Sequence, residues 1–123
     1  DKVHYLFLEK KYNVVIAEQN LIDIIHLAKI FISTYSSTVL WSVAIGIPSI
    51  IVDFYTLNYS YFKNFKGVGI FSEKQSFEAY LVELLKFGKL YKSKEIDQVK
   101  DSKNIAVMDG NCISNLIKLI NEH

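Results

Sequence analysis

The chain has 123 residues, half of them hydrophobic, which is the size of one ordinary domain with enough apolar residues for a core. Its 14 basic and 13 acidic residues leave a net charge of +1 and give no electrostatic case for nucleic acid. No apolar run reaches the ~18 residues of a membrane span. The single cysteine, Cys112, cannot close an internal disulfide, and His4, His26 and His123 lie too far apart for ligand spacing, so no metal site is expected.

In chain order, residues 5–8 (Tyr-Leu-Phe-Leu) and 14–16 (Val-Val-Ile) are β-rich runs bounded by polar residues and are expected as strands. Asn20 suits a helix N-cap, Asp23 the first turn, and Leu21, Ile24, Ile25 and Ala28 recur at helical spacing. Ile30, Phe31 and Ile32 read as the next strand, and residues 33–38 are then Ser-Thr-Tyr-Ser-Ser-Thr, an unbroken hydroxyl run. Val39, Leu40, Val43 and Ala44 form the stripe of a following helix, widened by Trp41, which is read as core. Gly46 suits a left-handed stop and Pro48 blocks continuation. Residues 49–53 read as a buried strand ending on Asp53, and a tyrosine-rich loop spans residues 54–65.

Gly67 and Gly69 mark a turn into a short strand at Ile70 and Phe71. Ser76 is expected to cap a helix bearing Phe77, Tyr80, Leu81, Leu84 and Leu85, closed by Gly88. Lysines alternate with acids from Lys86 to Lys103, so residues 93–103 read as a short, solvated outer helix. Asp109 or Asn111 is expected to cap a last helix bearing Ile113, Leu116, Ile117 and Ile120.

Strands alternating with helices imply α/β architecture: a Rossmann-like, doubly wound parallel sheet in three α/β/α layers, as one domain over residues 1–123. Ligands bind such sheets at the carboxyl ends of the strands. Four places qualify: residues 17–19, the hydroxyl run, residues 53–61, and Ser72 with Glu73. The hydroxyl run precedes a helix whose first amides lack intrahelical partners, so Thr34, Ser36, Ser37 and Thr38 are candidates for holding a phosphate or diphosphate. The same residues serve equally as an N-cap and polar turn. Asp53 and Glu18 suit sugar hydroxyls or loop capping. Tyr55, Tyr59 and Tyr61, with Asn58, suit a sugar or base face, or a domain interface. The chain contains no dinucleotide or P-loop glycine motif and no nucleophile elbow.

Residues 27–33, 36–41 and 46–51 together resemble the C-terminal half of GT-B glycosyltransferases, shared with UDP-N-acetylglucosamine 2-epimerases. The flavour is that of bacterial capsule and surface-polysaccharide enzymes, and it covers roughly residues 12–122. The resemblance implies one domain of a GT-B pair that binds a UDP- or CDP-linked sugar. Thr34, Ser36, Ser37 and Thr38 would lie on the diphosphate side, and Glu18, Asp53 and Tyr55 on the base and sugar side. No cofactor or metal is implied. The family's ribose-binding glutamate is missing from this helix, where Leu40 and Trp41 stand instead.

The resemblance also implies a fragment, beginning at Asp1, that lacks its N-terminal partner domain and with it the catalytic base. The chain alone is then expected to be inactive. The parent would be cytoplasmic, peripherally associated with the inner face of the membrane. A 2-epimerase, a CDP-polyol phosphotransferase and a non-catalytic flavodoxin-like or interaction module are the competing expectations.

Overall fold

The computed structural model of the chain describes the backbone of residues 8–109 and the side chains of residues 8–105. Its centre is a three-stranded parallel sheet of β1 (Phe31–Ser33), β2 (Ser49–Val52) and β3 (Val68–Phe71), in the order β1-β2-β3. Phe31 pairs with Ser49 and Ser49 with Val68, so neighbouring strands start level. Around the sheet lie α1 (residues 8–12), α2 (Leu21–Ile24) with a 3-10 turn at Ile25–Leu27, α3 (Thr38–Ala44), α4 (Lys74–Leu84) and α5 (Lys89–Asp109). The α/β class and the parallel sheet agree with the sequence.

Alternation along each strand sorts the core into two clusters, because successive side chains leave opposite faces of a strand. Ile51 and Val68 join Val39 and Val43 of α3, Phe62 and Phe65 of the loop, and Ile105 of α5. Ile50 joins Leu84 of α4 and Tyr91 of α5, with Phe77, Tyr80 and Leu81 packed against them. Trp41, expected in the core, is only half-buried.

Several expected elements differ. Leu8 is helical, and residues 14–18 form no strand, with Val14 and Val15 exposed; residues 5–7 lie outside the described chain. A β-branched run becomes a strand only where a neighbour takes its backbone groups, and local propensity does not supply one. Asn20 sits at the N-cap of α2, but its side chain makes no capping bond. The residue at the start of α4 is Glu73 rather than Ser76, which lies inside the helix. At the far end Phe87 takes the left-handed conformation (φ 52°) expected of a glycine beside it, with its ring edge-on to Tyr91 at 4.8 Å. Gly46 does take the left-handed stop, at φ 78°.

The largest departure is α5. It runs unbroken to Asp109, so Asp109 caps nothing; Asn111 and the last expected helix lie outside the described residues. Its inward stripe is Tyr91, Gln98, Asp101 and Ile105, all buried at helical spacing. Two of these are polar, which disguises the stripe in the sequence. Each is held by bonds to the amino end of the sheet. The Asp101 carboxylate accepts the amides of Lys66 (3.2 Å) and Gly67 (2.8 Å). The Gln98 amide donates to the Ile47 carbonyl (2.7 Å) and to Ser49 Oγ (3.1 Å). Ser49 Oγ in turn lies 2.6 Å from Ser42 Oγ, tying α3 to the same network.

Candidate functional site

At the opposite, carboxyl end of β2 and β3 a cleft of about 410 Å³ is lined by Asp53, Thr56, Asn58, Lys63, Ile70 and Ser72. Asp53 directly follows β2 and Ser72 directly follows β3. This is the position at which open α/β sheets take their ligands.

Asp53 organises the cleft. It is 6% exposed, and its two carboxylate oxygens accept the amides of Leu57 and Asn58, each at 2.8 Å. Its own amide donates to Phe71 O at 2.7 Å, and its carbonyl accepts the Thr56 amide at 3.0 Å. These bonds curl residues 54–58 back on the strand end. Thr56 (φ 53°) and Asn58 (φ 56°) both sit in the left-handed region. For Asn this is tolerated, while for a β-branched Thr it is strained, by ~1–3 kcal/mol. The carboxylate's charge-assisted bonds offset that strain.

Lys63 is placed by its neighbours. Phe62 and Phe65 are buried in the core, with their rings 5.7 Å apart, and Tyr61 packs edge-on to both. Pinning positions 62 and 65 leaves Lys63 on the solvent side of the turn, facing the cleft mouth.

The loop is also clasped to the hydroxyl turn. The Tyr35 and Tyr59 rings lie 4.8 Å apart, and the Tyr35 hydroxyl donates to Tyr59 O at 3.4 Å. Burial, and then the nearby Asp53 carboxylate, raise the Tyr35 phenol above its usual pKa.

The hydroxyl turn itself is largely satisfied from within. Ser36 Oγ and Thr38 Oγ1 are 2.9 Å apart, and Ser36 Oγ accepts the Thr38 amide at 3.2 Å. The Val39 and Leu40 amides donate to the carbonyls of Ser36 and Ser37. The amides expected to face an anion therefore already have acceptors. The N-cap Ser37 makes no side-chain cap bond, and Ser37 and Thr34 are exposed.

Of the four expected places, residues 53–61 supply Asp53, Thr56 and Asn58 to the cleft, and Ser72 comes from the last. Ser36 and Thr38 bond each other in the neighbouring turn. Tyr55 is 85% exposed and does not line the cleft, and Glu18 is exposed at the end of the non-strand segment 14–18. Asp53 acts as the loop-capping acid that was one of its two readings. Thr56 and Tyr35 were read only as members of the 53–61 loop and the hydroxyl run, and Lys63 went unread as a site residue. The apolar spacing of Phe62 and Phe65 was the available signal for Lys63, since it marks an anchored turn with that residue facing outward.

Among the described residues no three His, Cys, Asp or Glu side chains gather to hold a metal, and no helix is long and apolar enough to cross a membrane. No protein-family model, no curated protein and no solved structure matches the chain.

Proposed function

We propose that the chain is the nucleotide-sugar-binding domain of a two-domain glycosyltransferase acting in bacterial surface-polysaccharide synthesis. The observation that carries this reading is the composition of the carboxyl-end cleft. Asp53, Asn58, Thr56 and Ser72 supply acceptors and donors suited to sugar or ribose hydroxyls, and Lys63 supplies a cation for phosphate. The order of strand, hydroxyl turn, helix ending in Gly46-Ile47-Pro48, and strand supports the same reading through its resemblance to GT-B enzymes.

In this reading the phosphate sits nearer Lys63 than the sequence implies, and the Ser36–Thr38 turn forms a wall of the site. Asp53, which still has lone pairs beyond its two loop amides, takes the role left by the absent helix glutamate. The sheet and its two apolar clusters become a three-layer domain, and the catalytic base comes from a partner domain. The parent works at the cytoplasmic face of the membrane, on a UDP- or CDP-linked donor.

The test is an amide NMR titration of the chain with UDP- and CDP-sugars at millimolar concentration. Shifts are expected in residues 56–63, at Ser72 and in residues 34–38. Lys63→Ala removes one charge-assisted contact and is expected to weaken binding about tenfold. Saturating shifts confined to other parts of the chain, or equal affinity in Lys63→Ala, would overturn the assignment.

A further inference from the structure

A second cavity, of about 330 Å³, is lined by Lys29, Phe87, Tyr91, Lys92 and Glu95. Lys29 precedes β1 as Asp53 follows β2, so the two cavities lie at opposite ends of the parallel sheet. The volume suits a small ligand, since small-molecule pockets run from ~300 to 1,000 Å³. Its wall is braced from within. Tyr91 is buried beside Ile50 and Leu84, and its hydroxyl donates to Lys29 O at 2.8 Å, fixing α5 against the approach to β1.

Two features set this cavity apart from ordinary surface. The left-handed residue on its rim is Phe87, not the adjacent Gly88, where a Cβ would meet nothing within 4 Å. Such non-glycine outliers gather at ligand sites. Here the outlier stands an aromatic ring, 43% exposed, at 72° to Tyr91. The charges are the second feature. Lys74, Lys86 and Lys94 each pair with an acid three or four residues away on the helix surface. Lys92 has Glu95 at the same spacing, yet among the described residues Lys29, Lys92 and Glu95 make no ion pair. The cavity therefore offers two ammonium groups against one carboxylate, beside an aromatic wall.

We propose that this cavity binds a small monophosphate ester of an aromatic ring, with the phosphate between Lys29 and Lys92 and the ring against Phe87. A lysine ammonium binds phosphate as a point charge, and two of them match a dianion. Phe87 offers the uncovered part of its ring to the aromatic body of the ester. Glu95 repels a second anionic group, which selects a monoester over a diphosphate, and accepts a hydroxyl instead. No residue lines both this cavity and the Asp53 cleft, so the two sites bind independently of each other.

An amide NMR titration of the full chain with phenyl phosphate tests it. Saturating shifts are expected at Lys29, at Phe87 and in residues 91–95 at millimolar ligand. Inorganic phosphate and phenol each lack one half of the contact and are expected to bind about tenfold more weakly. Lys92→Ala is expected to weaken phenyl phosphate about tenfold. Phe87→Gly keeps the turn, because glycine accepts the left-handed φ, and is expected to lose the preference for phenyl phosphate over inorganic phosphate. Shifts confined to residues 56–63 and Ser72 would assign the ester to the Asp53 cleft and overturn the proposal. Equal affinity for phenyl and inorganic phosphate, unchanged affinity in Lys92→Ala, or no saturating shift at all would overturn it as well.

Discussion

Replacing Asp53 by alanine removes the one side chain on which the carboxyl-end loop is wound. Two amides, Leu57 and Asn58, lose a charged acceptor, each bond being 2.8 Å long. Hydrogen bonds to a charged group contribute ~1.5–3 kcal/mol each, which gives an upper range of ~3–6 kcal/mol for the pair. Two effects reduce it. Residues 54–61 are exposed, so water reaches the freed amides. Release also lets Thr56 leave its left-handed conformation, recovering part of the ~1–3 kcal/mol of strain. The net loss expected for Asp53→Ala is therefore about 2–3 kcal/mol, at or just below the lower limit of that range.

With a urea slope of ~2 kcal/mol per molar, the unfolding midpoint falls by about 1–1.5 M. Asp53→Asn keeps one acceptor oxygen and loses the charge, so its midpoint is expected between the two. Amide exchange locates the effect: Leu57 and Asn58 lose protection in the alanine variant, while β2 and β3 keep theirs. A midpoint change worth less than ~0.5 kcal/mol, with both loop amides unchanged, would refute the reasoning.

Three further outcomes follow from the packing. Gly67→Ala places a Cβ 2.9 Å from the Gln98 Cα and closer still to the Gln98 side chain, so α5 must shift away from the Asp101 bonds. Urea melts should show a loss of ~1–3 kcal/mol, and a neutral result would count against tight docking of α5. Among the described residues the Tyr80 hydroxyl is buried without a hydrogen-bond partner, so Tyr80→Phe is expected to leave stability unchanged or raise it by up to ~1 kcal/mol; a clear loss in thermal melts would show that the hydroxyl is satisfied. Burial raises the phenols of Tyr35, Tyr80 and Tyr91 above 10.0, with Asp53, Asp97 and Glu95 respectively adding to it. A raised folded pKa stabilises fully below the unfolded value and is lost as pH climbs through the folded one. Stability should therefore fall above about pH 10, and Tyr80→Phe should shallow that fall in urea melts at pH 9 and 11.

Local chemistry made much of this molecule readable in advance. The apolar runs of β1 and β2, the stripe of α3 and the Gly46 stop each depend on neighbours within a few residues, and each formed as the pattern implies. Asp53 was legible as a strand-end acid. Loop capping was one of its two readings, but the amides it binds were not legible, because they are placed by a turn whose φ angles at Thr56 and Asn58 the residue types disfavour or only permit.

What the sequence by itself determined is the α/β class and the central parallel strands, since apolar runs alternating with helical stripes imply parallel pairing; from these the carboxyl edge follows only as the place to look for a ligand. Only the tertiary structure decided which polar residues are inside. Gln98 and Asp101 look like solvated helix residues until the amino end of the sheet offers them a carbonyl, a hydroxyl and two amides. Tertiary structure likewise decided that residues 14–16 stand off the sheet, because strand formation depends on a partner edge and not on the run's own propensity. It also moved the candidate site from the hydroxyl turn to the Asp53–Lys63 cleft: the turn satisfies its own donors locally, while the cleft exists only where two strand ends and an anchored loop meet.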